Sequence, residues 1–246
     1  MIAGITEGEF LRYSKRFRHQ KAAELLRAYH DLNDPKALFL YRRVEAWLQL
    51  PILDTEQFKS LSDRYHFHLD QTGFTWKEHN LLSSPFRTTD QCSLIPYLPI
   101  TIYLDNLRSA FNVGSILRTT EALRVGRVCF GKNTPFIDNP KVQKTSMGTF
   151  DKVPCDRGLE LSILPRPLIA LETDETAPSI FDFVFPDSFT LMLGNEEYGL
   201  SDEALSLRAH TVRIPLHGFK NALNVASAFA IAAGVISHQL RAKSEK

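Results

Sequence analysis

Three segments of the chain combine glycine with side chains that can orient a ligand or stabilise charge. They contain Asn112, Gly114 and Arg118; Gly194 and Glu196; and Gly218 and Asn224. A glycine lets a backbone or a ligand approach closely, and an arginine can stabilise negative charge that develops in a reaction. The spacing of the first segment also fits a helix that is capped by Asn112 and carries a solvated arginine.

The second segment lacks the signatures of two common nucleotide-binding motifs. Gly194 ends an apolar run, but no Gly-Lys-Ser/Thr follows it, and no G-x-G-x-x-G follows a predicted strand. The adjacent Glu196 and Glu197 are also typical of a helix start, where the helix dipole favours carboxylates. The three cysteines, Cys92, Cys129 and Cys155, are widely spaced and form no C-x-x-C pair. We therefore predict neither a disulfide framework nor a metal site.

The third segment leads into a long stretch without charge. No Lys, Arg, Asp or Glu occurs from Asn221 to Leu240, and Ala222, Ala226, Ala230 and Gly234 recur at helical spacing. The pattern predicts a core helix over Leu223–Leu240 that is apolar nearly all round and therefore buried. Because the stretch is rich in Ala and contains several amide and hydroxyl side chains, we predict that it does not span a membrane.

Short apolar runs alternate with helical stretches in the carboxyl-terminal part of the chain. The predicted strands are Ile100–Leu104, Val125–Phe130, Leu168–Leu171, Phe189–Leu193 and Thr211–Ile214. The predicted helices between or after them are Ser115–Arg124, Pro178–Phe183, Ser201–Ser206 and Leu223–Leu240. This alternation predicts an α/β fold with a parallel sheet, which binds ligands beyond the carboxyl ends of its strands. The three polar segments follow such strands.

The first 90 residues differ from the rest of the chain in their pattern of charged and apolar residues, and this pattern predicts a small helical domain. One amphipathic helix is predicted in Phe10–His30, a second begins at Pro35, and a third lies in Glu56–Tyr65. Five basic residues in the first stretch are candidates for RNA phosphates: Arg12, Lys15, Arg16, Arg18 and Lys21. A charged helix face is also commonly just solvated. Residues 83–99 contain three prolines and are predicted to be a linker.

Length and charge limit the classes of protein. With 246 residues and a net charge of +1, the chain is long enough for a real core and too neutral to coat nucleic acid by bulk charge. The start of the chain carries Glu7 and Glu9 and no apolar run, which does not predict a signal peptide. We expect a cytoplasmic protein.

Taken together, the three segments resemble the SpoU (TrmH-like) branch of the SPOUT RNA methyltransferases. The resemblance covers residues 97–241, and residues 1–90 would form an accessory or RNA-binding domain. The family's Asn-x-Gly-x-x-x-Arg motif is matched by Asn112, Gly114 and Arg118, and its Gly-x-Glu turn by Gly194 and Glu196. Its third motif is matched by Ile214-Pro215, Gly218 and Leu223-Asn224-Val225.

This resemblance implies a carboxyl-terminal trefoil knot, bound S-adenosyl-L-methionine, a homodimer, and methyl transfer to a ribose 2′-hydroxyl of tRNA or rRNA. It places Arg118, Asn112, Glu196 and Asn224 at the reacting end. It assigns the cofactor to Gly194, Ile214, Leu216 and Leu223.

One position departs from the family. Ala222 stands where the family has a serine before Leu-Asn. This departure leaves a second hypothesis open, namely that the protein is a catalytically weak or inactive homologue that acts as an RNA-binding protein.

Overall fold

The amino-terminal unit consists of four helices. The computed structural model describes residues 4–73 and 95–244, and the chain divides into two compact units, Met1–Pro85 and Phe86–Lys246. The helices of the first unit are α1 (Glu7–Arg12), α2 (Lys15–Leu32), α3 (Pro35–Trp47) and α4 (Phe58–Asp70). The predicted linker at 83–99 and Cys92 lie mostly or wholly outside the described residues.

Polar caps explain where these helices begin. Thr6 and Glu9 form a capping box at α1, Ser14 caps α2, and Asp34 caps α3 with Pro35 in its first turn. The prediction of one helix over Phe10–His30 is wrong, because the Ser14 hydroxyl accepts a hydrogen bond from the Phe17 N–H and starts a second helix there. The predicted third helix extends further than expected, to Asp70.

The core of the first unit includes a chain of buried polar groups. The Nδ1 atoms of His19 and His68 lie 2.9 Å apart, and His68 Nε2 lies 3.0 Å from the Tyr41 hydroxyl. Arg64 Nη1 donates to the same hydroxyl at 3.2 Å. Each of the two contacts of His68 joins one donor to one acceptor, and a neutral imidazole supplies one of each from its two ring nitrogens. All these bonds are satisfied when both imidazoles are neutral.

A six-stranded parallel sheet forms the second unit. In chain order its elements are β1 (Ile100–Leu104), α5 (Ala110–Leu123), β2 (Arg127–Phe130), α6 (Pro140–Ser146), β3 (Cys155–Arg157), β4 (Leu168–Leu171), β5 (Phe189–Leu193), α7 (Asp202–Leu207), β6 (His210–Val212) and α8 (Val225–Ser244). The strand order is β3-β2-β1-β5-β4-β6, and all neighbouring pairs are parallel. The predicted parallel α/β sheet is confirmed. Every residue of β1 and β5 is buried, which explains their continuous apolar sequence.

Two predictions for single elements fail for local reasons. Strand β3 was not predicted, because it is only three residues long and pairs at the sheet edge. The helix predicted over Pro178–Phe183 does not form. Ile180 donates its backbone N–H to the Arg213 carbonyl, and Arg213 donates to the Pro178 carbonyl, so this segment pairs with the chain that follows β6.

Helix α8 buries only one face, which contradicts the prediction of burial nearly all round. Phe229, Ala232, Ala233, Ile236 and Leu240 are buried in the core. A stripe on the other side is exposed: Ser227, Ala230, Ile231, Gly234 and His238. Within the described residues, α8 packs mainly against α5, which leaves the opposite face uncovered.

By length and composition, the segment Val225–Lys243 of α8 could cross a membrane, with 33% of its most apolar window buried. Core helices of globular proteins pass the same test, so this finding is weak evidence.

Candidate functional site

The loops that follow β4, β5 and β6 enclose a cavity of about 640 Å³, a size typical of small-molecule sites. The four residues predicted to hold a cofactor, Gly194, Ile214, Leu216 and Leu223, all line it. The structure therefore brings together residues that are separated by up to 29 positions in the sequence. The cavity lies at the carboxyl ends of parallel strands, where such sheets bind ligands.

The loop after β5 closes on itself through two backbone hydrogen bonds. Asn195 and Gly199 exchange N–H···O bonds of 2.8 and 3.0 Å, and Gly199 has a φ of +75°, in the left-handed region. A Cβ atom on Gly194 would lie 2.3 Å from the Gly199 carbonyl carbon and 2.4 Å from the Leu200 nitrogen. This loop therefore requires glycine at position 194 independently of any ligand that lies against its backbone.

Two buried polar residues that sequence reasoning missed hold the same loop. The Asn195 side chain donates to the Asn106 carbonyl at 2.6 Å. The Asp105 carboxylate is 2% exposed and accepts from the Ser201 backbone N–H at 2.6 Å. Asp105 directly follows β1, and this position at a strand end is the signal by which it could have been found.

Glu196, Asn112 and Asn224 form a continuous hydrogen-bonded chain. Asn112 Nδ2 donates to Glu196 Oε1 at 2.8 Å, and Asn224 Nδ2 donates to Asn112 Oδ1 at 3.0 Å. Each of the three motif segments contributes one member. Three of the four residues predicted at the reacting end are thus in direct contact.

The Glu196 carboxylate also accepts two backbone N–H groups at the start of α5. Arg108 donates to Oε2 at 3.0 Å and Ser109 donates to Oε1 at 3.1 Å. Partial burial acts to raise the pKa of Glu196, but the hydrogen bonds from Arg108, Asn112 and Ser109 outweigh it and hold the pKa below its ordinary value. The group is therefore an anion at neutral pH.

The other two members of the chain also hold helix ends. Asn224 Oδ1 accepts from the backbone of Ala226 and Ser227 and so caps α8. The expectation that Asn112 caps its helix is wrong, because Ser109 is the cap and α5 begins at Ala110. Asn112 stands in the first turn instead, where its side chain is free to join Glu196 to Asn224.

Arg118 does not join this chain. It is exposed on α5 and has no hydrogen bond or ion pair with any residue in 4–73 or 95–244. Phe111 lies seven positions earlier, hence on the same face of α5, and its side chain is 58% exposed. Gly114 lies one helical turn before Arg118, and a Cβ there would lie 2.8 Å from the Val142 carbonyl of α6. This glycine allows α5 and α6 to pack closely.

Ala222 lines the cavity in an exposed loop, three residues before α8 begins. The expectation that this position lies at the start of a buried helix is wrong. A serine hydroxyl here would not be needed as a helix cap, since Asn224 already fills that role.

The candidate RNA-binding residues lie on α1 and α2 and do not form one stripe. Arg12, Lys15 and Arg16 are exposed, whereas Arg18 and Lys21 are partly buried. Arg16 and Arg18 lie on opposite flanks of the buried face, because two positions rotate a helix by about 200°. Lys21 pairs with Glu24, and the Nε of Arg18 is buried without a hydrogen-bond partner.

No group of three or more His, Cys, Asp or Glu residues that could hold a metal ion occurs within the described ranges.

A sequence model of the SpoU rRNA Methylase family matches residues 99–234. The chain belongs to the SpoU rRNA methylase family. The matched region contains the whole sheet, the cavity and the Glu196–Asn112–Asn224 chain.

Curated relatives are named as methyltransferases of ribosomal RNA. The chain is 30% identical over 138 residues to a 23S rRNA (uridine(2479)-2'-O)-methyltransferase of Streptomyces viridochromogenes, which covers 52% of this chain and 48% of that relative. It is 28% identical over 166 residues to the 23S rRNA (guanosine-2'-O-)-methyltransferase RlmB of Xylella fastidiosa, with 65% and 62% covered. The chain thus spans less than two thirds of these relatives.

Solved structures agree with the family. The SpoU methyltransferase AviRb from Streptomyces viridochromogenes matches with a TM-score of 0.54 and 25% identity over 61% of this chain and 63% of that one. AviRb in complex with the cofactor AdoMet matches with a TM-score of 0.52 and 26% identity, and 59% of each chain is covered.

Proposed function

We propose that this protein transfers a methyl group from S-adenosyl-L-methionine to a ribose 2′-hydroxyl of tRNA or rRNA. The observation that carries the proposal is a single cavity lined by the second and third SpoU segments, to which the first segment is joined by the hydrogen bonds of Asn112 with Glu196 and Asn224. Membership in the SpoU family and the names of the relatives support this chemistry.

The cavity fits the cofactor in size and in chemistry. Apolar side chains of Ile214, Leu216 and Leu223 suit an adenine ring, and the carboxylates of Glu172, Glu196 and Glu197 suit a ligand that carries positive charge. When bound, the cofactor supplies a methyl group that is already activated on a sulfonium.

The protein's own residues would align the reactants and hold charge. The Glu196–Asn112–Asn224 chain fixes the first turns of α5 and α8 relative to the β5 loop, and such fixed orientation is a large part of catalysis. Arginine stays protonated at neutral pH, so Arg118 serves as a fixed positive group toward an RNA phosphate or the developing alkoxide.

We propose that a second copy of the chain covers the exposed face of α8. This face consists of small and apolar residues at helical spacing, and the exposed Phe111 lies on α5, against which α8 packs. A partner on this side would also meet Arg118, which shares a face with Phe111. A homodimer would therefore complete the surroundings of an arginine that has no partner among the described residues of one chain.

We infer that the carboxyl-terminal segment forms the trefoil knot that the family resemblance implies. β6 lies at one edge of the sheet, yet α8 packs against α5, which joins β1 to β2 on the other side of β5 and β4. The segment between β6 and α8 must therefore cross the carboxyl ends of those strands, where it lines the cavity.

RNA contact by the first unit is part of the same proposal. The exposed Arg12, Lys15 and Arg16 can neutralise phosphates without reading bases. We place the enzyme in the cytoplasm, with no membrane attachment, in keeping with a tRNA or rRNA substrate.

The second candidate function is RNA binding with weak or no catalysis, and the observation that favours it is Ala222 at the wall of the cavity. The intact Glu196–Asn112–Asn224 chain favours the enzyme.

The test is incubation of the protein with methyl-labelled S-adenosylmethionine and total RNA, followed by mass spectrometry of the nucleosides. We expect a labelled 2′-O-methyl nucleoside, and the variant Arg12→Ala/Lys15→Ala should need more RNA to reach the same rate. RNA that binds but gains no label would favour the second function.

A further inference from the structure

Glu172 is a cavity residue that none of the three SpoU segments contains. It directly follows β4, and its backbone N–H donates to the Val212 carbonyl at the end of β6. Its side chain is partly buried and lines the cavity next to Leu171 and Thr173. The residue is thus fixed at the wall that the apolar side chain of Ile214 also forms.

One oxygen of this carboxylate is used by the protein. Glu172 Oε1 accepts a hydrogen bond from the Leu200 backbone N–H at 2.8 Å, which ties the end of β4 to the loop after β5. A Cβ atom on Gly199 would lie 2.9 Å from Oε1 and 3.2 Å from Oε2, so glycine at position 199 allows the carboxylate to approach.

The other oxygen is not used by the described part of the chain. In residues 4–73 and 95–244, no donor bonds Glu172 Oε2, and no lysine, arginine or histidine forms an ion pair with this carboxylate. A partly buried carboxylate that lacks a cation retains strong capacity to accept a hydrogen bond.

We propose that Glu172 accepts a hydrogen bond from a ribose hydroxyl of bound S-adenosylmethionine through Oε2 while Oε1 holds the β5 loop. The inference rests on the proposed function. The apolar wall next to Glu172 suits adenine, and the ribose is attached directly to that ring, so its hydroxyls are the donors that this wall would meet. The residue is then a specificity determinant for adenosine ligands and a positioning residue for the loop that contains Glu196.

The variant Glu172→Gln separates the two roles, because an amide oxygen still accepts the Leu200 N–H whereas the second oxygen becomes an N–H donor. Glu172→Ala removes both. Glu175→Gln removes the same charge from an exposed residue of the same loop that does not line the cavity, and it is the matched control.

The experiment is calorimetric titration of each protein with S-adenosylhomocysteine and with its 2′-deoxy and 3′-deoxy forms. The wild type and Glu175→Gln should bind at least one deoxy form about tenfold more weakly, or worse, as expected for loss of a hydrogen bond to a charged acceptor. Glu172→Gln should bind the parent ligand about tenfold more weakly and the deoxy forms no worse than the parent. Without ligand, Glu172→Ala should melt at a lower temperature than Glu172→Gln.

Several results would overturn the inference. The same preference for the parent ligand in Glu172→Gln as in the wild type would remove the ribose contact. An effect on S-adenosylhomocysteine that is absent with 5′-methylthioadenosine would assign Glu172 to the amino-acid portion instead. Equal melting temperatures of the Ala and Gln variants would remove the positioning role. If the wild type bound none of these ligands, the proposed function itself would fail.

Discussion

At the scale of single residues, the loop after β5 depends on a glycine, because a side chain at position 194 would not fit. Gly194 has the Gly199 and Leu200 backbone within 2.4 Å of the position of its absent Cβ. The same loop carries Glu196, whose carboxylate binds Asn112 and the start of α5. The site thus depends on a backbone contact that only glycine permits.

We therefore expect Gly194→Ala to lower the free energy of unfolding by about 1–3 kcal/mol, the usual cost of overpacking. Gly218→Ala is the matched control. Gly218 has nothing within 4 Å of its Cβ position and no positive φ, so this change should stay within about 0.5 kcal/mol. Chemical denaturation of both variants checks the prediction. Equal effects of the two substitutions would contradict the role assigned to Gly194.

The sequence predicted the members of this site better than it predicted their roles. The motif residues Asn112, Glu196 and Asn224 are brought together as expected, because parallel strands deliver their carboxyl ends to one edge of the sheet. Spacing could not show that Ser109, and not Asn112, caps α5, since both are good caps and only the backbone decides between them. Glu172 and Asp105 each directly follow a strand, but spacing does not show which backbone groups of a distant loop they contact.

At the scale of elements, long apolar runs were predicted well and short or paired segments were not. β1, β4 and β5 have the predicted bounds, because their buried faces impose continuous apolar sequence. The three-residue β3 and the turn at Pro178–Phe183 depend on pairing partners far along the chain, which local pattern does not reveal. The exposed face of α8 was not predicted, because an apolar sequence does not show which side of a helix the rest of the chain covers.

The contact between α2 and α4 should make the first unit sensitive to acid. Burial, together with the nearby His19 and Arg64, lowers the pKa of His68 to about 3. Burial, together with Lys15 and Arg18, also lowers the pKa of His19. Above pH 6.5 both imidazoles are neutral in the folded and in the unfolded state. As pH falls below 6.5, the imidazoles of the unfolded state bind protons, whereas those of the folded state stay neutral. Stability should therefore fall between about pH 6.5 and 3.

We expect the free energy of unfolding to decrease by up to about 1.4 kcal/mol per pH unit for each such proton. Tryptophan fluorescence reports on this unit through Trp47, which packs against its core. Removing one imidazole in His68→Phe should flatten the pH dependence, whereas His66→Gln on the same helix should keep it. An unchanged slope in His68→Phe would show that another group controls the acid transition.

At the scale of the whole molecule, the uncovered face of α8 is the surface that the proposed second copy of the chain would cover. Ile231 is 36% exposed on α8. A charge at this position should lower the free energy of unfolding of a monomer only slightly, but it should disrupt an interface that buries it. We expect Ile231→Asp to shift the protein from dimer to monomer in sedimentation velocity, while Ile163→Asp, at a more exposed apolar position of the same unit, leaves the dimer intact. A wild-type protein that sediments as a monomer at micromolar concentration would contradict the dimer.

The cavity and Arg118 have separate roles in this proposal, cofactor binding and methyl transfer, and two measurements on Arg118→Ala distinguish them. The cavity lining does not include Arg118, and this side chain has no partner within the described parts of the chain. The wild type and Arg118→Ala should both be titrated with S-adenosylmethionine by calorimetry. Single-turnover methyl transfer by both proteins should then be measured on the RNA that the wild type labels. We expect Arg118→Ala to bind the cofactor within about twofold of the wild type and to transfer the methyl group about a hundredfold or more slowly, as for loss of a charge-stabilising donor. Loss of cofactor affinity together with activity, or an unchanged transfer rate, would rule out these separate roles.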